Sequence, residues 1–281
     1  MEFITKVETG NKGLGISHRE RIVMLGSCFV DNIGAKLVDA GFDCTVNPFG
    51  TLYNPVSILN ALCNRDDEFL HWTQKNDGIS DDEIDADIYI LTFGTSWVYR
   101  LKQTGHIVAN CKKAPENLFQ REMVGVEQIA ADYGEFIDSK IIPQGKKIVF
   151  TVSPIRHKRD GMHENQLSKA VLLLAVDKLC KNYPDNCFYF PAYEIMMDEL
   201  RDYRFYADDM IHPSAKAVDY IWERFGETYF NKETQRYRNE FESLSKTLSH
   251  KPFNPESEEY KQLISTTKDK LNELKYAVRN K

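Results

Sequence analysis

The 281-residue chain is 42% hydrophobic and 28% charged, and its 36 Lys and Arg against 42 Asp and Glu leave a formal net charge of −6. This length buries a sizeable core, and the ordinary composition excludes a disordered or low-complexity chain. The sequence offers no clustered Lys and Arg for nucleic acid and no run of about 18 apolar residues for a membrane span, and Met1 to Gly10 lacks a signal peptide's apolar stretch.

Arg21-Ile-Val-Met-Leu25, closed by Gly26, reads as a buried strand. Phe29 to Ala40 has helical spacing through Ile33 and Leu37, with Gly41 as its stop. Asp43 to Val46 is a second strand that runs into the turn Asn47-Pro-Phe-Gly50, and Pro55 opens a helix through Leu62. An acidic stretch (Asp81, Asp82, Glu83, Asp85, Asp87) leads to a third strand, Ile88 to Phe93, stopped by Gly94. A helix from Val126 to Asp138 precedes a fourth strand, Lys147 to Val152, which Pro154 breaks. Glu164 to Asn182 is a long helix with Leu167, Ala170, Val171 and Leu174 on its apolar face. Cys187 to Phe190 makes a short fifth strand. Pro213 stands in the first turn of a helix carrying Ala215, Val218, Ile221, Trp222 and Phe225.

This alternation predicts a three-layer α/β/α sandwich around a mostly parallel sheet of about five strands. Residues 1–230 form that domain. Residues 231–281 form a helical C-terminal extension, Gln235 to Leu248 and Ser257 to Val278 around Lys251-Pro-Phe-Asn-Pro255, that packs on the domain or joins copies into a homo-oligomer. The cysteines at 28, 44, 63, 111, 180 and 187 contain no Cys-x-x-Cys pair, which argues against a zinc ribbon or disulfide scaffold and fits free thiols in a reducing cytoplasm.

In such sheets ligands bind beyond the carboxyl ends of the strands. Gly26-Ser27-Cys28-Phe29 places a nucleophile there, at a strand-to-helix turn where helix amides stabilise an anion. A tight turn with a capping Ser and an inert buried Cys explains the same residues. Asp209-Met-Ile-His212, before Pro213, can pair an imidazole base with a carboxylate that fixes its tautomer, or be a surface His beside a capping acid. Acyl transfer further needs oxyanion donors, for which the Gly50 amide and the Thr95 or Ser96 hydroxyl are candidates, with simple turn chemistry an equal reading of the same residues. Arg156-His-Lys-Arg159 through His163-Glu-Asn-Gln-Leu-Ser168-Lys169 follows the fourth strand, where a cationic loop would overhang the site and steer an anionic substrate or carry a second acid. A solvated loop followed by a helix cap explains the same residues, with His163 and Asn165 the ones to test. His18, His71, His106 and His250 lack partners at metal-ligand spacing, so no metal is expected. Trp97 and Tyr99 suit core packing, or a wall on which a sugar stacks.

The order of these elements resembles the SGNH (GDSL-like) hydrolase superfamily. Gly26-Ser-Cys-Phe-Val30, Asn47-Pro-Phe-Gly50, Thr92-Phe-Gly-Thr-Ser-Trp97, Thr151-Val-Ser-Pro154 and Asp209-Met-Ile-His212 are similar to the GSCFA-domain family within it, over about residues 1–230. The resemblance implies an esterase or acyltransferase acting on a small ester such as an acetylated carbohydrate, with no metal or organic cofactor. Laid on the superfamily's Gly-Asp-Ser turn, the catalytic serine falls at Cys28 and Ser27 takes the aspartate's place. Cys28 is the preferred nucleophile and Ser27 the second candidate. The superfamily's oxyanion asparagine falls at Ser96, a shorter donor. A thiol at 28 would react through a thioester, its pKa lowered from near 8.5 by the helix end and an imidazolium. A non-catalytic binding module on the same fold, docking a partner through its helical tail, is the competing expectation.

Overall fold

The computed structural model describes residues 4–10, 13–63, 65–74, 79–109, 113–250, 252 and 256–279. Cys111 and most of the Lys251 to Pro255 break lie outside them. Strands apolar at nearly every position must be covered on both faces, and the chain supplies a helix after each. β1 (Arg21–Gly26) runs into α1 (Cys28–Asp39) and β2 (Asp43–Val46), followed by α2 (Pro55–Cys63), α3 (Asp67–Trp72) and α4 (Asp81–Ile84). β3 (Ile88–Phe93) is followed by β4 (Trp97–Leu101), β5 (Ile107–Val108) and β6 (Phe119–Met123), then by α5 (Val126–Phe136) and β7 (Lys147–Val152). The chain continues through α6 (Met162–Asn182), β8 (Cys187–Tyr189), α7 (Ala192–Glu194), α8 (Ala215–Tyr229), α9 (Lys232–Ser249) and α10 (Glu258–Arg279).

The main sheet has the order β2-β1-β3-β7-β8, and every pairing in it is parallel. Successive side chains point to opposite faces. Ile22 and Met24 therefore join the core under α1 and α8, and Val23 and Leu25 join the core under α2, α5 and α6. This is the expected three-layer α/β/α arrangement. The chain leaves β1 for β2 on one side and returns to β3 on the other, so the crevice at their carboxyl ends is a topological switch point. α1 begins there.

Three features of the fold differ from expectation. The antiparallel sheet β5-β4-β6 was absent from the periodicity because its strands are short and β6 reads Phe-Gln-Arg-Glu-Met, mostly polar. On α6 the buried face is Asn165, Ser168, Lys169, Leu172, Ala175, Val176 and Leu179, while Leu167 and Leu174 are 43% and 59% exposed. The first turns of α6 bury polar groups because strand-end carbonyls and hydroxyls beneath them need partners. Apolar residues alone marked the wrong side. Pro213 also lies outside its helix: it bridges to Tyr206, and the Ser214 hydroxyl caps α8 by accepting from the Ala217 amide.

The extension packs on the body. Phe241 of α9 lies against Gly41, where an added Cβ would stand 2.5 Å from the ring. Glu242 accepts from the Trp222 indole at 2.8 Å. α10 covers α9 through Val278, Leu271 and Leu274 around Tyr237 and Phe241. Among the described residues no helix is long and apolar enough to cross a membrane.

Gly26 has φ +151°, and a Cβ on it would lie 2.3 Å from the Thr92 carbonyl oxygen of the neighbouring strand. Gly26→Ala is expected to cost about 2–3 kcal/mol through overpacking and backbone strain. Gly15→Ala, with nothing within 4 Å of the new methyl, should stay within about 0.5 kcal/mol of the unmodified protein. Urea unfolding of the two variants measures the difference, and equal midpoints would contradict this account of the turn.

Candidate active site

The site starts from the last residue of β1. The Gly26 amide donates to the Asn47 side-chain oxygen at 3.0 Å, and the Asn47 amide nitrogen donates to Asp31 at 2.8 Å. Asn47, itself at φ +41°, thereby ties the ends of β1 and β2 to the first turn of α1. Ser27 is fully buried and is the N-cap of α1. Its hydroxyl accepts from the Phe29 amide and donates to the Ser153 hydroxyl at 2.9 Å. With Ser27 held inward, Cys28 is the first helical residue and is half-buried at the rim.

The Cys28 sulfur lies 3.3 Å from Nε2 of His212. On the ring's other side, Nδ1 of His212 is 2.5 Å from an Asp209 carboxylate oxygen. The second Asp209 oxygen accepts the amides of Ile211 at 2.9 Å and His212 at 3.0 Å. Met210 between them adopts φ +58°, a left-handed turn that brings acid and imidazole onto one side. The His212 amide, its ring and the Ile211 amide hold the Asp209 carboxyl down to about 2. The loop is fixed to the body by Arg156, whose amide donates to the Ile211 carbonyl and whose guanidinium donates to the Met210 carbonyl, both at 3.2 Å. The Arg156 guanidinium packs against Tyr206 and Tyr203.

Burial pushes the Cys28 thiol up, and the Asp31 and Asp209 carboxylates push the same way against the pull of the Cys28 and Phe29 amides. The expected lowering by the helix end does not prevail. In the tautomer whose Nδ1 proton goes to Asp209, Nε2 is the acceptor that faces the thiol. Such a pair reacts by proton removal during attack rather than through a standing thiolate.

The proposed oxyanion donors are engaged elsewhere. The Gly50 amide donates to the Asn47 carbonyl at 2.9 Å, and its φ of +82° serves that turn. The buried Thr95 and Ser96 hydroxyls meet the Ser168 hydroxyl at 3.0 and 3.1 Å, and the Ser96 amide donates to the same atom at 2.8 Å. The Thr95 and Ser96 contacts join the end of β3 to α6. His163 is exposed at the start of α6. Asn165 is buried and accepts the His157 amide at 2.9 Å, so it fixes the overhanging segment from beneath. Trp97 and Tyr99 are half-buried, each with the Arg121 guanidinium 5.2 Å from its ring centre.

Two side chains of the segment after the fourth strand, read there only for its charge, stand close to Ser27. Nε2 of His157 is buried without a hydrogen-bond partner among the described residues and would lie 3.2 Å from a Cβ on Gly94. Burial, then the charge of Lys169, holds His157 down to about 3, so its ring is neutral. Lys169 is 1% exposed, and its ammonium donates to the carbonyls of Gly94 and Ser153 at 2.7 Å each. A signal existed: Asn165, Ser168 and Lys169 continue the helical stripe of Leu172, Ala175, Val176 and Leu179.

The model of the GSCFA family matches residues 21–84 and 64–225, and the model of the GSCFA domain protein C-terminal domain matches residues 241–279. No curated protein matches. Among solved structures, a mutant acetyl-xylooligosaccharide esterase from Geobacillus Stearmophilus is similar over 76% of this chain and 96% of its own, at 11% identity and a TM-score of 0.46. A carbohydrate esterase family 3 protein from Talaromyces cellulolyticus is similar over 78% and 98%, at 11% identity and a TM-score of 0.40.

Between pH 3 and 6.5 the unfolded chain protonates His157 while the native protein, with this ring at about 3, does not. Stability is therefore expected to fall as pH drops through that window, by about 2–5 kcal/mol for this group. Asp209 adds a loss of the same sign between 3.8 and about 2. Lys169, pushed down to about 7 by burial, makes stability rise from pH 7 toward 10.5 as the unfolded chain retains the proton that the native protein releases. Melting temperature against pH, compared with His157→Asn, tests the acid limb: an unchanged slope in the variant would contradict it.

Proposed function

The chain belongs to the GSCFA family, and on that premise we propose that it is an acyl-ester hydrolase or acyltransferase with Cys28 as nucleophile. The observation that carries this reading is the run of contacts from Asp209 through His212 to the Cys28 sulfur, 2.5 and 3.3 Å long. As the sulfur attacks the acyl carbonyl, Nε2 of His212 takes the thiol proton and the carbonyl oxygen becomes an oxyanion. Collapse expels the alkoxide, which receives the proton from His212, and leaves a thioester on Cys28. Water or an acceptor hydroxyl, deprotonated by the same imidazole, then attacks the thioester and regenerates the thiol. Asp209 holds the ring and supports its transient charge.

First-turn amides of a helix have no intrahelical carbonyl, so the Cys28 amide is our candidate for the oxyanion donor, in place of Gly50, Thr95 and Ser96. Ser27 is assigned the cap, since its hydroxyl is engaged with Phe29 and Ser153. The proposed substrate is a small acyl ester, with acetyl groups on a carbohydrate as the class that the superfamily resemblance implies. The engagement of the three expected oxyanion donors favours one other reading, a binding module that keeps the fold without turnover.

Incubation with p-nitrophenyl acetate and mass analysis separates the two. The expected result is an acetyl group on Cys28, absent in Cys28→Ala. His212→Ala should lower the acylation rate by about 10²–10⁴-fold and Asp209→Ala by at least about ten-fold. Ser27→Ala should still acylate at residue 28 while losing about 1 kcal/mol with its cap. Acetylation of Ser27, or turnover that survives Cys28→Ala, would refute the assignment, and no acetylation of the unmodified protein would favour the binding module.

A further inference from the structure

The pairing of β3 with β7 ends at Phe93 and Val152, and the next two residues are Gly94 and Ser153. Their carbonyls lie where the sheet's carboxyl edge opens into the crevice and the ladder offers no further amide. Lys169 of α6 supplies both hydrogen bonds, at 2.7 Å each, from one ammonium. The same two residues form the seat of Ser27. The Ser153 hydroxyl accepts from Ser27 at 2.9 Å, and a Cβ on Gly94 would lie 3.5 Å from the Cβ of Ser27. The next residue along the chain is Cys28.

We infer that Lys169 is the positioning residue of the nucleophile turn: by binding the Gly94 and Ser153 carbonyls it holds the floor under Ser27, and so holds the Cys28 sulfur against His212. A hydrophobic side chain of similar length would fill the space at lower desolvation cost. The lysine instead remains buried with no ion pair among the described residues, and burial pulls its proton affinity down to about 7. The nearby ring of Tyr193, 5.6 Å from the ammonium, supplies a cation–π contact. A group held at such cost is explained by what it orders at the strand ends.

The inference rests on the proposed reaction for its catalytic meaning, but the reactivity of the thiol tests it separately. Lys169→Met and Lys169→Gln would be compared with the unmodified protein by circular dichroism and melting, and by the rate of Cys28 alkylation with iodoacetamide, read by peptide mass spectrometry. Exposed Cys63 is the internal reference. Lys169→Met should stay folded, yet alkylate Cys28 at least ten-fold more slowly relative to Cys63 and lower kcat for p-nitrophenyl acetate by at least ten-fold with KM within two-fold. Lys169→Gln, which keeps one donor, should fall between. A folded Lys169→Met with alkylation and kcat within two-fold of the unmodified protein overturns the inference.

A native-protein measurement covers the case in which neither variant folds. Carboxymethylation of Cys28 should raise the Lys169 titration midpoint, followed by carbon-13 lysine NMR, by at least 0.3 pH unit over the neutral carbamidomethyl adduct, because coupling between sites is reciprocal. Identical midpoints overturn it. If the unmodified protein never forms the acyl-enzyme, the hydrolase reading fails while the alkylation arms still decide the role of Lys169.

Discussion

The Ser27 hydroxyl is buried between the Phe29 amide and the Ser153 hydroxyl, and the position of the Cys28 sulfur follows from that seat. A helix that starts one residue after a strand has little freedom in its first turn. Gly26 can pass close to the Thr92 carbonyl because it has no side chain, Ser27 turns inward to cap, and residue 28 must then face the crevice. Asn47 reinforces the junction from the neighbouring strand through Gly26 and Asp31. Rigid elements therefore hold one partner of the sulfur–imidazole contact.

The other partner sits on a loop. Asp209 and His212 have side chains 45% and 43% exposed, and little hydrophobic packing holds them. Their order comes from hydrogen bonding: two amides and the ring on Asp209, Arg156 on the carbonyls of Met210 and Ile211, and the bridge between Tyr206 and Pro213. Polar contacts of this kind are worth less per group than core burial. The two halves of the site thus differ in stiffness. The first is set by backbone sterics and a buried cap, the second by a small network open to solvent.

The charges around the crevice follow the same division. The exposed carboxylate of Asp209 stays ionised because amides and the imidazole surround it, while the half-buried thiol and the more deeply enclosed His157 stay neutral because burial penalises their charged forms. Lys169 is the exception, a buried cation whose contacts are two carbonyls at the strand ends. Its location beneath the turn connects α6 to the seat of Ser27.

Much of this was legible in the sequence because it depends on neighbours in the chain. Apolar runs marked most of the parallel strands, Gly26, Gly94 and Pro154 marked where three of them end, and the Gly-Ser-Cys-Phe turn and Asp-x-x-His segment each follow from local backbone rules. The sequence could not say which of Ser27 and Cys28 meets His212, since that depends on where Ser153, 126 positions away, accepts a hydrogen bond. Nor could it say that the Gly50 amide is spent on Asn47, that Thr95 and Ser96 meet Ser168, or that α6 buries Asn165, Ser168 and Lys169 instead of Leu167 and Leu174. Hydrophobic periodicity reports a face only where burial is apolar. At the carboxyl edge of the sheet, burial is governed by unpaired carbonyls and hydroxyls, and only the tertiary structure decides which side chains satisfy them.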